Sequence, residues 1–175
     1  MQLIQTPRDA LLKPLTTVAG IVERRHTLPI LANILVKKEG PRVSFVATDL
    51  EVQITTHAEF GVGDSNESLT VSARKLLDIL RALPDSGEIK LGSASGKLAV
   101  QSAKSRFSLQ TLAANEFPTM SQPDRWDVSL TIARKTLKHL FNMVHFAMAQ
   151  QDIRYYLNGM LMVFEPGFLR AVATD

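Results

Sequence analysis

Cysteine is absent from this chain of 175 residues. Its absence excludes disulfide scaffolds, zinc ribbons, iron–sulfur ligation and thiol nucleophiles, and it fits a reducing compartment. Aromatic residues make up only 6% of the chain, too few for an extended surface that stacks on bases. No apolar run approaches the roughly 18 residues that read as a membrane-crossing helix, and residues 1–7 lack the basic-then-apolar order of a secretory leader. The expected setting is therefore soluble and cytoplasmic, with no membrane partner. Charge of one sign is scarce too, since 20 Lys and Arg face 17 Asp and Glu for a net +3. That balance disfavours a tight grip on nucleic acid through phosphate contacts alone.

What the sequence does have is a core and a repeat. Hydrophobic residues are 45% of the total, enough to bury a core, and at about 150 residues per domain the length fits one domain and a remainder. Val46-Ala47-Thr48-Asp49 recurs as Val172-Ala173-Thr174-Asp175, 126 positions later. Thr6, Leu12, Lys13, Leu15 and Asn33 match Thr131, Leu137, Lys138, Leu140 and Asn158 at an offset of 125, in the same order. Glu39-Gly40-Pro41 and Glu165-Pro166-Gly167 supply a turn in both copies. We read one repeat over residues 1–124 and the first part of another over 125–175, with Pro123-Asp124 as a short linker. The second copy stops with its core half built, so the natural protein is expected to be longer.

Each copy is expected to open with a short strand and then a helix. Thr6 is a candidate N-cap with Pro7 at the first helical position, and Leu11, Leu15, Val18 and Val22 recur at helical spacing to about Gly20. Pro14 predicts a kink. Ser72 caps a second helix with Leu76, Leu80 and Leu83 on one face, stopped at Pro84-Asp85-Ser86-Gly87. Thr131 caps a third, with Leu137, Leu140, Phe141, Val144 and Met148 facing inward. Ala73-Arg74-Lys75 with Leu77 and Leu80 reappears as Ala133-Arg134-Lys135 with Leu137 and Leu140, which suggests two copies of a smaller unit in each repeat. Alternating patterns predict strands at 42–48, 51–57, 88–91, 97–101 and 106–112. The fold class is α+β, with helices on one face of antiparallel sheet.

The charge is distributed unevenly. Residues 7–25 carry Arg8, Lys13, Arg24 and Arg25 against Asp9 and Glu23, residues 72–83 carry Arg74, Lys75 and Arg81 against Asp78, and residues 132–150 carry Arg134, Lys135 and Lys138 with no acid. The helical segments therefore total +7 and the remainder −4. One such helix is an ordinary solvated face. Three with the same bias, each placing its cations opposite its leucines, point to one positive surface facing a polyanion.

Catalytic constellations are not found. His139 and His145 are six apart and fall on different helix faces, His26 is in a loop, and His57 is in a strand. Gly92-Ser93-Ala94-Ser95-Gly96-Lys97 is one residue short of a phosphate loop, lacks the Ser or Thr that should follow Lys97, and joins two strands. Asp49 and Glu51 stand at a strand end, where Asp commonly satisfies turn backbone. We therefore expect no enzyme, no metal and no cofactor. Arg154-Tyr155-Tyr156, after the third helix, is the one aromatic and basic cluster. It reads equally as a nucleic-acid contact or as a tyrosine pair anchoring the next strand.

Five motifs then carry a resemblance. Leu28-Pro29-Ile30-Leu31 with Asn33, Thr48-Asp49-Leu50-Glu51, Ser105-Arg106-Phe107-Ser108-Leu109, Glu116-Phe117-Pro118 and Arg154-Tyr155-Tyr156-Leu157-Asn158-Gly159-Met160-Leu161 resemble the bacterial sliding clamp family, the beta subunit of DNA polymerase III. The likeness runs from the first residue to the last. It implies three similar domains per protomer and a head-to-tail dimer closed around double-stranded DNA, with helices lining the hole and sheets forming the rim. Such a protein is a processivity factor that tethers the DNA polymerase III alpha subunit, the clamp loader and other clamp-motif proteins. A chain of this length lacks the third domain and is expected not to close a ring.

The resemblance also implies residue roles. Arg25, Arg74, Gln151, Tyr155 and Tyr156 match positions near DNA, and the helix charges add Arg134 and Lys138. Arg154, Leu157 and Thr174 match the first portion of a pocket for the tail peptides of polymerase and clamp loader. Lys104, Arg106, Phe107 and Leu109 match the first-domain side of the dimer contact, on what reads as an edge strand. The chain departs from the family at Gln150, where histidine is common, and at Ile21-Val22-Glu23, where glycines are frequent. Two other readings of the residues stay open: a repeat-built scaffold that recruits proteins without DNA, and a metal-dependent hydrolase.

Overall fold

The computed structural model describes residues 1–22, 28–85, 87–121 and 124–175. It divides the chain into two compact units, residues 1–122 and 123–175. In the first, strand β1 (Gln2–Pro7) leads directly into helix α1 (Arg8–Ala19). Strands β2 (Asn33–Glu39), β3 (Arg42–Thr48) and β4 (Gln53–Glu59) follow. The same order then recurs as β5 (Asn66–Ser72), helix α2 (Ala73–Ala82), β6 (Glu88–Ala94), β7 (Lys97–Ser102) and β8 (Ser105–Ala113).

The two halves exchange their first strands. The sheet order is β1-β6-β7-β8-β5-β2-β3-β4, so β1 adds to the second half and β5 to the first. Every named pairing is antiparallel. The sheet also curls back on itself, because Ile4 bridges Gly61 and the Val62 N–H donates to Leu3 O at 2.9 Å. Gly61 is required at that closure, since a Cβ there would lie 2.5 Å from Gly40 O and 2.9 Å from Pro41 O.

Alternation decides which face each strand buries. Ile34 and Val36 of β2, Val43, Phe45 and Ala47 of β3, and Leu98 and Val100 of β7 face the helices and join Leu11, Leu15 and Val18 of α1 with Leu76, Leu77 and Leu80 of α2. Each fully buried Val, Ile, Leu or Phe among them contributes roughly 1.5–3 kcal/mol. On the opposite sheet face Leu35 and Val46 pack under Phe117, which closes a second, smaller cluster. The α+β expectation, helices on one face of antiparallel sheet, holds. So do the cap of α2, where Ser72 Oγ accepts from the Lys75 N–H at 3.5 Å, and the whole of β3.

Several expectations need correction. Pro7, not Thr6, is the N-cap of α1, because Thr6 is still paired to Ile89 in β1 and is buried there. Strand β4 starts at Gln53 instead of 51, because Asp49 Oδ1 accepts from the N–H groups of Glu51 and Val52 and makes those residues a turn. Strands β2 and β5 were not anticipated from the sequence pattern. Arg8 is not a free surface cation: Nη1 donates to Leu83 O at 2.8 Å and meets Asp85 at 2.6 Å, and Nη2 meets Asp9 at 2.8 Å, so it ties the start of α1 to the end of α2. Residues 23–27, which include Arg24, Arg25 and His26, lie outside the described residues.

The second unit holds helix α3 (Arg134–Val144), a 3-10 turn at Tyr155–Asn158, and the hairpin of β9 (Leu161–Glu165) with β10 (Phe168–Val172). Its N-cap is Ala133, without a side-chain bond, and not Thr131. Met148 lies past the helix end. The expected opening strand is absent among the described residues 124–133, since a strand needs a partner and the only pairing in this unit is β9 with β10. The inward face of α3 is apolar as expected, but Leu137, Leu140 and Val144 are only half-buried and Phe141 is exposed. One hairpin cannot cover a helix.

Candidate nucleic-acid and partner interface

The apolar stripes that seat α1 and α2 on the sheet force their polar residues outward. On α2 that outer face carries Arg74, Lys75, Asp78 and Arg81, all exposed. Arg74 Nε stands 3.8 Å from Asp78 Oδ2, one turn away, an exposed pair of small energetic weight. On α3, Arg134, Lys135 and Lys138 are exposed, and Arg134 and Lys138, four residues apart, share a face. The helix carries no acid, so its positive field is uncompensated within the element.

A second cluster sits on the loop at residues 149–158. Ala149 N–H donates to Leu157 O at 3.0 Å and Leu157 N–H to Arg154 O at 2.8 Å, which closes the loop on itself. Asn158 staples it twice, accepting at Oδ1 from Asp152 N–H at 3.0 Å and donating from Nδ2 to Asp152 O at 3.1 Å. Gln151 sits in the left-handed region at φ 57°, exposed. Tyr155 and Tyr156 are 80% and 67% exposed, their rings edge to face with centroids 5.9 Å apart.

Arg154 lies on the same loop, gripped by Asp152. Hydrogen bonds from Arg154, its side chain first and its backbone N–H second, hold the Asp152 carboxyl below the usual carboxylate range. The Asp152 bond raises Arg154 in turn, and the charge of Asp175 adds to the effect, which places Arg154 within electrostatic reach of the residue after Thr174. Thr174 is exposed two residues past Val172, the last residue of β10, which pairs with Leu161. Leu157 is half-buried on the 3-10 turn. The sequence reading did not pair Asp152 with Arg154, although two residues' separation is a readable ion-pair spacing.

The third set lies at the end of β7 and the start of β8. Lys104 and Arg106 are exposed and, with Lys90 and Gln101, line an open hollow of about 780 Å³. Strand β8 is interior in the sheet order, yet among the described residues only Thr111, Leu112 and Ala113 pair with β5, while residues 105–110 pair with β7 alone. One side of that stretch is thus an open edge. Phe107 is half-buried and Leu109 is 8% exposed in the core, so Leu109 supports the edge from inside and presents no surface of its own.

The profile of the DNA polymerase III beta subunit, N-terminal domain, matches residues 1–121, and that of its central domain matches residues 131–175. The chain belongs to the DNA polymerase III beta subunit family. The Beta sliding clamp of Pseudomonas aeruginosa is 47% identical over 168 residues, covering 96% of this chain and 46% of that protein. The Escherichia coli Beta sliding clamp is 42% identical over 170 residues with the same coverage. The crystal structure of the beta subunit from Pseudomonas aeruginosa superposes with a TM-score of 0.93 at 46% identity, over 99% of this chain and 47% of that one. The chain therefore spans about half the length of the curated relatives it matches.

The loop at Asp49 is a backbone-satisfied turn. Residues 92–97 form the β6–β7 hairpin, with Ser95 and Gly96 at φ 50° and 71°, and not a phosphate loop. Ser44 Oγ and His57 Nδ1 are 2.8 Å apart across β3 and β4. Among the described residues no group of three or more His, Asp or Glu could hold a metal ion, and no helix is long and apolar enough to cross a membrane.

Proposed function

We propose that this chain is the first part of a processivity clamp, a non-catalytic ring that acts in the cytoplasm. The ring closes head to tail around double-stranded DNA and tethers the polymerase, the clamp loader and other clamp-motif proteins. The observation that carries this reading is the outward cationic face of α3, with no acid on the helix, in a chain whose family is the polymerase beta subunit. Arg74, Arg134 and Lys138 contact phosphate without reading sequence, and Gln151, Tyr155 and Tyr156 touch the duplex from the loop. Arg154, Leu157 and Thr174 begin the tail-peptide pocket. The open edge of β8, with Lys104 and Arg106 outside and Phe107 and Leu109 packed beneath, takes the partner protomer.

The test uses a chain of the relatives' full length carrying this sequence, loaded on nicked circular DNA. Retention through a salt wash, followed by loss when the circle is cut, is the expected result. Equal retention on linear and circular DNA overturns the ring. A protein-recruiting scaffold without DNA, the second reading of the repeats, would show no retention on either.

A further inference from the structure

Arg154 is a long side chain on an exposed loop, where a free guanidinium samples many rotamers. Here one carboxylate fixes it at three points. Asp152 Oδ1 accepts from Arg154 N–H at 2.7 Å and from Nε at 3.0 Å, and Oδ2 accepts from Nη2 at 2.9 Å. The side-chain bonds form the paired, parallel geometry that specifies direction as well as contact. Asp152 is itself fixed, because both its N–H and its C=O are bonded to the Asn158 side chain, and it is more sheltered than the arginine it holds, 26% against 54% side-chain exposure. Two of the five guanidinium N–H positions of Arg154 are spent on Asp152, and the Nη1 group is left for a further acceptor.

We propose that Asp152 is a positioning residue for partner binding: it holds the Arg154 guanidinium in one orientation, so that a tail peptide entering the pocket meets a pre-set donor. This rests on the reading of Arg154 as a pocket residue. Without Asp152 the arginine would lose rotamer freedom only on binding, and affinity would fall accordingly. A second ion pair of this unit, Arg170 with Glu165 at 3.9 Å, lacks such geometry.

The experiment measures binding of a fluorescent synthetic peptide, the carboxy-terminal segment of the polymerase alpha subunit, to a chain of the relatives' length carrying this sequence. Asp152→Asn keeps an oxygen for the Arg154 N–H and so keeps the turn, but removes the charged pair. It is expected to weaken the peptide about tenfold. In an Arg154→Ala background the same change is expected to cost less than about twofold, because the two residues act as one. Full affinity in Asp152→Asn overturns the proposal. So does a tenfold loss that persists when Arg154 is alanine, which would make Asp152 a support for the loop alone. If the unaltered chain binds no peptide, the clamp reading itself falls.

Discussion

Lys38 is 1% exposed, and its ammonium is held by two backbone carbonyls and a hydroxyl. Nζ donates to Gly63 O and Ser65 O, both at 2.7 Å, and to Ser65 Oγ at 3.4 Å, so it clamps the loop between β4 and β5 onto the end of β2. Lys38→Met keeps the stem and removes the charge. Two short bonds to a charged donor are worth about 1.5–3 kcal/mol each, and their loss leaves two carbonyls without that partner. Removing the ammonium also removes its desolvation penalty, which is several kcal/mol and opposes the loss. The short distances favour the bonds, and we expect a net destabilisation of about 2 kcal/mol. Thermal unfolding followed by circular dichroism should then show a midpoint lower by roughly 6–12 °C for a unit of this size. Lys37→Met, one residue away on the other sheet face, should move it little. An unchanged or raised midpoint for Lys38→Met would mean that the buried charge costs more than its bonds return, and the clamp argument would be wrong.

Ala103 holds φ 48° in the turn between β7 and β8. Ala103→Gly should stabilise by about 1 kcal/mol in urea unfolding, since the left-handed conformation costs a side chain roughly that much. Hydrogen exchange should separate the units: amides of β2, β3 and β5 slow, those of α3 fast, because α3 buries no residue. Uniform protection across both would contradict that ordering. Replacing Arg74, Arg134 and Lys138 with Ala in a chain of the relatives' length should lower the salt slope of DNA retention by about 2 to 3 per protomer, with folding unchanged. An unaltered slope removes those residues from the DNA face.

Where local signals agree with burial, the structure was readable. Strand β3 is bounded by a turn at Gly40 and another at Asp49 and alternates from Arg42 to Phe45, so its ends came out right even though Phe117 also buries Val46. Strand β2 did not, because Phe117 buries Leu35 on the face that should be polar, and Lys38 occupies a core position. No period of two survives that pair of exceptions. Strand β5 hides for a related reason: Thr70 is fully buried, paid for by bonds to the Asn33 side chain and Leu112 O, partners that lie about forty residues away in sequence. At the candidate site, the exposed arginines of α2 and α3 followed from helix periodicity alone. The Asp152–Arg154 fork and the half-open state of β8 did not, since each depends on geometry that spacing leaves free.

The charge arithmetic bears on how such a protein could hold DNA. A net +3 is already small, Arg8 is consumed inside the fold, and Arg74 stands near Asp78. On α2 and α3 the exposed cations without that neighbour are Lys75, Arg81, Arg134, Lys135 and Lys138, a set suited to weak and salt-sensitive contact. A groove binder with that surface would dissociate readily, whereas a closed ring needs no affinity to stay on a circle. Weak contact is then an advantage, because each phosphate bond must be exchanged for the next as the ring moves, and a stronger field would slow it. On the proposed reading, adding basic residues to the outward face of α2 would raise equilibrium affinity and reduce mobility along the duplex, so the modest charge is part of the mechanism.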